Sequence, residues 1–232
     1  MADKKIKVTK NGPYLVSGNL SLKKEIIELD EKGNSIGWKD GEKYLDKENY
    51  ALCRCGKSKN PPYCDGAHAK VNFDGTETAG DKKFNEEAEK IVGPEIDLLD
   101  VSKLCAFVRF CHNDKGNVWD LTKNSFDAEA KKEAIQQACN CSAGRLVMMD
   151  KKTGKAIEPE LEQSLSLIED PKTGTNGPIY VRGGVEIESA EGKKYETRNR
   201  VTLCRCGASG NKHFCDASHV RIQFNDGSKS SG

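Results

Sequence analysis

Two stretches of the chain carry thiols and an imidazole at the same spacing. Residues 53–68 read CRCGKSKNPPYCDGAH and residues 204–219 read CRCGASGNKHFCDASH, each a C-x-C-x8-C-x3-H array. Cys64 and His68 are four apart, so on a helical turn they project from one face. Cys53 and Cys55 are two apart and point to one side of an extended segment. Cys204, Cys206, Cys215 and His219 repeat the arrangement 151 residues later. Three thiolates and one imidazole folded around a small inorganic centre suit either tetrahedral zinc or an iron–sulfur cluster. Zinc knuckles usually use C-x2-4-C, and a C-x-C pair departs from that spacing. In a 2Fe–2S cluster each iron takes two protein ligands, a number that Cys53 with Cys55 and Cys64 with His68 would supply.

The run Cys53-x-Cys55-x2-Ser58-x3-Pro62-x-Cys64-Asp65-Gly66-Ala67-His68 resembles the signature of the CDGSH iron–sulfur family, the mitoNEET-like proteins. The resemblance implies a 2Fe–2S cluster on three cysteines and one histidine at each motif, hence two clusters. Proteins of the mitoNEET type are homodimers whose protomers exchange strands beside paired clusters. Two motifs in one chain therefore imply an internal pseudo-dimer under a shared β-rich cap. The second copy departs from the pattern at His213, which stands for Pro, and at Ala217, which stands for Gly. His213 adds a titratable group beside the site, and Ala217 is expected to exclude a backbone conformation that only Gly adopts easily. Asp65 and Asp216 read as helix-start residues that accept free backbone N–H groups. Arg54, Arg205, Ser58 and Ser209 read as hydrogen-bond donors near the cluster sulfurs.

Four further cysteines lie between the repeats: Cys105, Cys111, Cys139 and Cys141. Cys105 and Cys111 form C-x5-C, with Val108 where a bacterial ferredoxin run places its middle cysteine. The segment from Cys141 is similar to the last-cysteine segment of single-cluster ferredoxins, with Ser142 for the usual Pro. The middle thus resembles a divergent single-cluster ferredoxin-like domain. Cys105, Cys111 and Cys141 alone suit a 3Fe–4S cluster, whereas Cys139 as a fourth ligand would complete 4Fe–4S. A metal-free domain with buried thiols, or a structural zinc, is the alternative. His112 is read as a surface residue pointing away from Cys111.

The elements that must position these groups are short. Tyr14–Val16, Tyr50–Leu52, Ile179–Val181, Val185–Ile187 and Val201–Leu203 read as strands bounded by Gly, Pro, Asn or Asp. Gly12-Pro13-Tyr14-Leu15-Val16-Ser17-Gly18 matches Gly177-Pro178-Ile179-Tyr180-Val181-Arg182-Gly183. The first copy is longer before its cysteines, and a hairpin of Glu25–Leu29 and Ser35–Trp38 accounts for the extra length. A helix is expected over Ser125–Ala138, capped by Ser125 or Asp127, with Ala130, Ala134, Ile135 and Ala138 as its apolar stripe. Leu146–Met149 and Lys155–Ile157 form a second hairpin, its methionines read as buried strand residues. The polar stretches 74–95 and 158–176 read as solvated linkers. The expected class is α+β: a first repeat over 1–80, a ferredoxin-like middle domain over 81–170, a second repeat over 171–226 and a disordered tail over 227–232.

Composition narrows the function. Lys and Arg total 37 against 36 Asp and Glu, a balance that argues against a nucleic-acid binder. Mean hydropathy is −0.70 and no apolar run reaches the ~20 residues of a membrane span. Ten cysteines without an export signal point to metal binding in a reducing compartment, here taken as the cytoplasm. No dinucleotide fingerprint, phosphate loop or nucleophile–base pair is present. The expected protein is a non-enzymatic, monomeric electron carrier, or a donor and sensor of clusters, whose partners are redox or cluster-acceptor proteins. The competing functions are a zinc-stabilised binding module and an electron-relay subunit of a redox enzyme.

Overall fold

The computed structural model describes residues 4–228, so residues 229–232 of the expected tail lie outside the described residues. Within that tail, the Gly227 and Ser228 amides donate back to Asn225 and Asp226. The first repeat supplies β1 (Lys5–Val8), β2 (Tyr14–Ser17), β3 (Leu22–Leu29), β4 (Ser35–Lys43), β5 (Asn49–Leu52) and the one-turn α1 (Ala67–Lys70). The middle segment follows with α2 (Phe84–Glu87), β6 (Glu89–Val92), β7 (Ile96–Asp100), β8 (His112–Asn113) and β9 (Gly116–Asn117). It continues through α3 (Val118–Lys123), α4 (Ala128–Cys139), β10 (Leu146–Asp150) and β11 (Ala156–Ile157). Last come β12 (Ser164–Asp170), β13 (Thr175–Arg182), β14 (Glu186–Glu188), β15 (Arg200–Leu203) and α5 (Ser218–Arg221). The class is α+β. Among the described residues, no helix is long and apolar enough to cross a membrane.

The repeats exchange strands. One sheet runs β14-β1-β2-β5 and another runs β15-β13-β12-β3-β4. In each, the matched Gly-Pro strand (β2 or β13) lies antiparallel between the strand before it and the strand that leads to the cysteines. The strand that follows it leaves that sheet and joins the other one in parallel, β14 beside β1 and β3 beside β12. The apolar faces close one shared core, in which Ile6, Val8, Tyr14, Val16 and Leu52 meet Leu165, Leu167, Ile179, Val181 and Leu203. Short strands need such a partner to be stable. The Tyr14 hydroxyl crosses the pseudo-axis and donates to the carbonyls of Cys204 and His213, at 2.8 and 3.1 Å.

This arrangement corrects the linker reading of 158–176. Residues 164–170 form the buried β12, the counterpart of β1, so the second half begins one strand earlier than its Gly-Pro motif. The acidic Glu169 and Asp170 that suggested a solvated stretch are buried in ion pairs with Arg205 and Arg109. The stretch 74–95 also carries structure, in α2 and β6. In the middle segment, β11-β10-β7-β6 form a sheet. Asp127 caps α4 by accepting from the Ala130 amide at 2.8 Å, and Ala134 and Ala138 are buried. Met148 is fully buried in its strand. The long β3–β4 hairpin of the first half carries Trp38 onto Phe110, with ring centroids 4.9 Å apart.

Candidate metal centres

In each motif the ligands meet as two pairs. The Cys53 and Cys55 sulfurs are 3.7 Å apart, and so are those of Cys204 and Cys206. The Cys64 sulfur lies 3.3 Å from His68 Nδ1, and the Cys215 sulfur 3.5 Å from His219 Nδ1. Two ligands on one tetrahedral metal with bonds of ~2.0–2.3 Å are roughly 3.5–3.8 Å apart, so each pair fits one metal ion. Among the described residues, no three His, Cys, Asp or Glu side chains converge on a single ion.

Local structure explains the pairing. The extended C-x-C segment leaves β5 or β15 and turns back at Gly56 or Gly207, both with positive φ, 69° and 82°. The two turns abut across the pseudo-axis. A Cβ on Gly56 would fall 2.6 Å from the Cys206 carbonyl oxygen, and one on Gly207 would fall 2.7 Å from that of Cys55. Only glycine allows this approach. Backbone amides face the sulfurs: the Gly66 amide donates to Cys64 at 3.5 Å and the Ala217 amide to Cys215 at 3.4 Å. The Cys206 thiol and, against burial, the amides of Ser209, Gly207 and Cys206 hold Cys204 down at about 6. Its partner Cys206 is pushed up by that bond and by burial. Burial likewise lifts Cys55 to about 11.

Asp65 and Asp216 act as expected, accepting the first helical N–H groups of Ala67 and Ser218, each at 3.0 Å. The expectation for Ala217 is corrected. It adopts the left-handed conformation of Gly66, with φ 66° against 84°, and the turn is preserved. The four expected sulfur donors are also corrected. Arg54 donates to the carbonyls of Thr9 and Gly75, and Arg205 to the Gly177 carbonyl and to the Glu169 and Asp226 carboxylates. Ser58 and Ser209 donate to the carbonyls of Tyr63 and Phe214. They brace the loops, and the bonds to sulfur come from the backbone. His213 is buried between Tyr195 and Phe214, with Nδ1 3.3 Å from Glu77 Oε2.

Of the middle cysteines, Cys105 and Cys141 lie near enough to Cys111 to act on it electrostatically. Burial, then the charges of Cys141 and Cys105, lift Cys111 to about 11. Phe107 and Arg109, on either side of Val108, both have positive φ, 58° and 62°, so the C-x5-C loop coils tightly without glycine. Cys139 stands apart. Its sulfur lies 3.8 Å from the Ile157 carbonyl, and its charged neighbours are Arg200 and Glu158. His112 is exposed, but its Nδ1 lies 3.5 Å from the Cys111 sulfur, so it does not point away. Arg145 donates to both oxygens of the Asp100 carboxylate, which, with the nearby Cys105 thiol, keeps the guanidinium charged. Its polar role escaped the sequence reading because nothing near Leu146–Met149 marks Arg145 as facing Asp100, 45 positions earlier in the chain.

The comparisons with known proteins match these regions. Residues 11–69 and 176–220 match the family described as iron-binding zinc finger, CDGSH type. Both repeats belong to the CDGSH family. Residues 91–151, between the two CDGSH regions, match the family described as divergent 4Fe-4S mono-cluster. No curated protein and no solved structure matches the chain. The double-CDGSH chain is an iron–sulfur binding protein with a 4Fe–4S-type domain in its middle.

Two arginines tie that middle domain to the second CDGSH half. Arg200, fully buried on β15, donates to the carbonyls of Ala138, Cys139, Cys141 and Leu146 and pairs with Glu158. Arg109 of the cysteine loop grips Asp170 at the end of β12 with both terminal nitrogens. Cys215 is consequently part of the apolar core formed by Ala106, Val108, Phe110 and Cys141. Cys215 and His219 are only 3% and 4% exposed, whereas Cys64 and His68 remain partly open to solvent. Burial holds His219 down at about 4.

Proposed function

We propose that each CDGSH motif holds a 2Fe–2S cluster and that the chain carries electrons or donates clusters, without being an enzyme. The observation that carries this reading is the ligand geometry of two metal-sized pairs per motif, with backbone amides turned toward the sulfurs. Cys53 and Cys55 would hold one iron and Cys64 and His68 the other, with Cys204, Cys206, Cys215 and His219 as their counterparts. A bound cluster supplies one-electron redox chemistry. The protein's part is to hold the two ligand pairs in place, neutralise sulfur charge with N–H groups and set the potential through neutral imidazole in place of thiolate. Cys105, Cys111 and Cys141 would hold the middle cluster. Cys139 lies outside that set, which favours a cluster with three protein thiolates over one with four.

The test is iron and acid-labile sulfide analysis with visible absorption and electron paramagnetic resonance of the purified chain. Cys64→Ser and Cys215→Ser are each expected to remove one 2Fe–2S cluster, and Cys139→Ser to leave the middle signal unchanged. Zinc at both motifs with no visible absorption overturns the reading.

A further inference from the structure

The two CDGSH centres differ in what surrounds them. Four lysines lie around the first, all exposed. The Lys57 amide donates to Cys55, and the Lys59 amide donates to Asp65 beside Cys64, at 2.8 Å. Lys70 shares the single turn of α1 with His68. Lys47 sits over the ring of Tyr63, 4.2 Å from its centroid, next to Cys64. None of the four ammonium groups makes an ion pair among the described residues. Beside Cys64, Asp65 accepts from the amides of Lys59 and Ala67, which hold its carboxylate ionised, so it offsets part of this charge without pairing with any of the four. Asp46 and Glu48 flank only Lys47.

At the second centre the counterparts of these lysines are Arg198, Ala208, Gly210 and Arg221. Arg198 is turned inward onto the carbonyls of Ala143 and Gly144 and over the ring of Phe84. Arg221 is tied to Ser218 and Asp216. The collar is therefore confined to the motif whose Cys64 and His68 reach solvent. In a chain of net charge +1 it gathers four exposed ammonium groups, free of ion pairs among the described residues, against the three acids Asp46, Glu48 and Asp65. Such a patch steers an oppositely charged partner and fixes its approach to the nearest redox centre.

We propose that the collar of Lys47, Lys57, Lys59 and Lys70 is the docking surface for an acidic redox protein, which meets the chain at the first CDGSH centre. The proposal rests on the reading that this motif holds a redox-active cluster. The exchange moves one electron from the reduced chain to an oxidised acceptor, and no bond to the protein forms or breaks. Burial of Cys215 and His219 leaves the second centre without an equivalent contact.

The test uses the full holo chain, reduced and freed of reductant, mixed rapidly with ferric cytochromes as probes. One probe is an acidic b-type cytochrome, the other a basic c-type cytochrome. The bimolecular rate with the acidic probe is expected to fall at least tenfold at low ionic strength in Lys57→Glu/Lys59→Glu/Lys70→Glu. The difference is expected to close as salt screens the charges. Lys212→Glu/Arg221→Glu, on the corresponding face of the second repeat, is expected to stay within twofold. The milder triple Lys→Gln variant keeps the test open if charge reversal disturbs folding, and a smaller loss in the same direction is expected. An unchanged rate in a triple variant with intact cluster spectra overturns the proposal. So does an equal loss in the second-repeat variant, or a defect confined to binding anionic vesicles or RNA. Absence of a 2Fe–2S spectrum in the unsubstituted chain instead overturns the functional reading itself.

Discussion

The first and second CDGSH motifs have the same ligands at the same spacing, and their ligand pairs differ by no more than 0.2 Å. Their environments are opposite. At position 49 of the first half an exposed asparagine begins the strand that leads to the cysteines, and at position 200 of the second half a buried arginine does so. Arg200, together with Arg198 and Arg109, holds the middle domain, whose core closes over Cys215. The same three thiols and imidazole have been placed once at the surface and once in the interior, by residues outside the motif.

The harshest test of this contrast is removal of Arg200. Arg200→Leu leaves Glu158 and four carbonyls without their partner, and loss of one member of a buried pair costs about 3–5 kcal/mol. Denaturant unfolding should show a loss of that size, whereas Asn49→Ala should change stability by no more than about 0.5 kcal/mol. Equal losses would break the comparison. Next is Glu77, which reaches from the first half to the Ala190 amide and Tyr195 of the second. Burial opposes its charge, but these bonds and His213 hold it at about 2, below its usual 4.5. Its contribution is present above about pH 4.5 and is lost as pH falls toward 2, up to about 3 kcal/mol. Urea midpoints measured at pH 6 and pH 3 should fall less in Glu77→Gln than in the unsubstituted chain.

A smaller effect is expected in cluster release. In Cys215→Ser and Cys64→Ser chains, each retaining one CDGSH cluster, a ferrous chelator should strip the first site about tenfold faster than the second, equivalent to about 1.4 kcal/mol. Similar rates would show that solvent access does not govern release. Smallest is the turn before each histidine. Ala217→Gly should stabilise the chain by about 1 kcal/mol and Gly66→Ala should destabilise it by about as much, since a left-handed residue with a Cβ costs roughly 1–2 kcal/mol. Thermal unfolding of the two variants checks both signs.

The pairing of thiols with thiols and of thiol with imidazole in both motifs was legible from spacing, because a compact site needs few residues in a fixed local pattern. Strands such as Tyr14–Ser17 and the helix at Ala128–Cys139 were legible from bounded apolar runs and a capping aspartate. β12 was not, since Ser164–Asp170 follows an acidic stretch and itself ends in Glu169 and Asp170, and the arginines that neutralise these two lie 36 and 61 positions away. The strand exchange was expected only from the family resemblance, because no local pattern shows that β3 pairs with β12 rather than with β2. The direction of His112 was misread, and that of Cys139 left open, for a related reason. A thiol's direction at the end of a helix, or an imidazole's at the start of a two-residue strand, is set by neighbours that the sequence does not place.

The exchanged strands also make the covalent link between the halves dispensable once the chain has folded. Each of the two exchanged sheets contains backbone from both ends of the polypeptide, whereas the turn around Gly154 is exposed and a Cβ there would touch nothing within 4 Å. A protease cut at that turn should yield two fragments that remain associated through the interlaced strands and the shared apolar core. Coexpressed as separate pieces, 1–153 and 154–232 should find each other and complement, as the two subunits of an obligate heterodimer do.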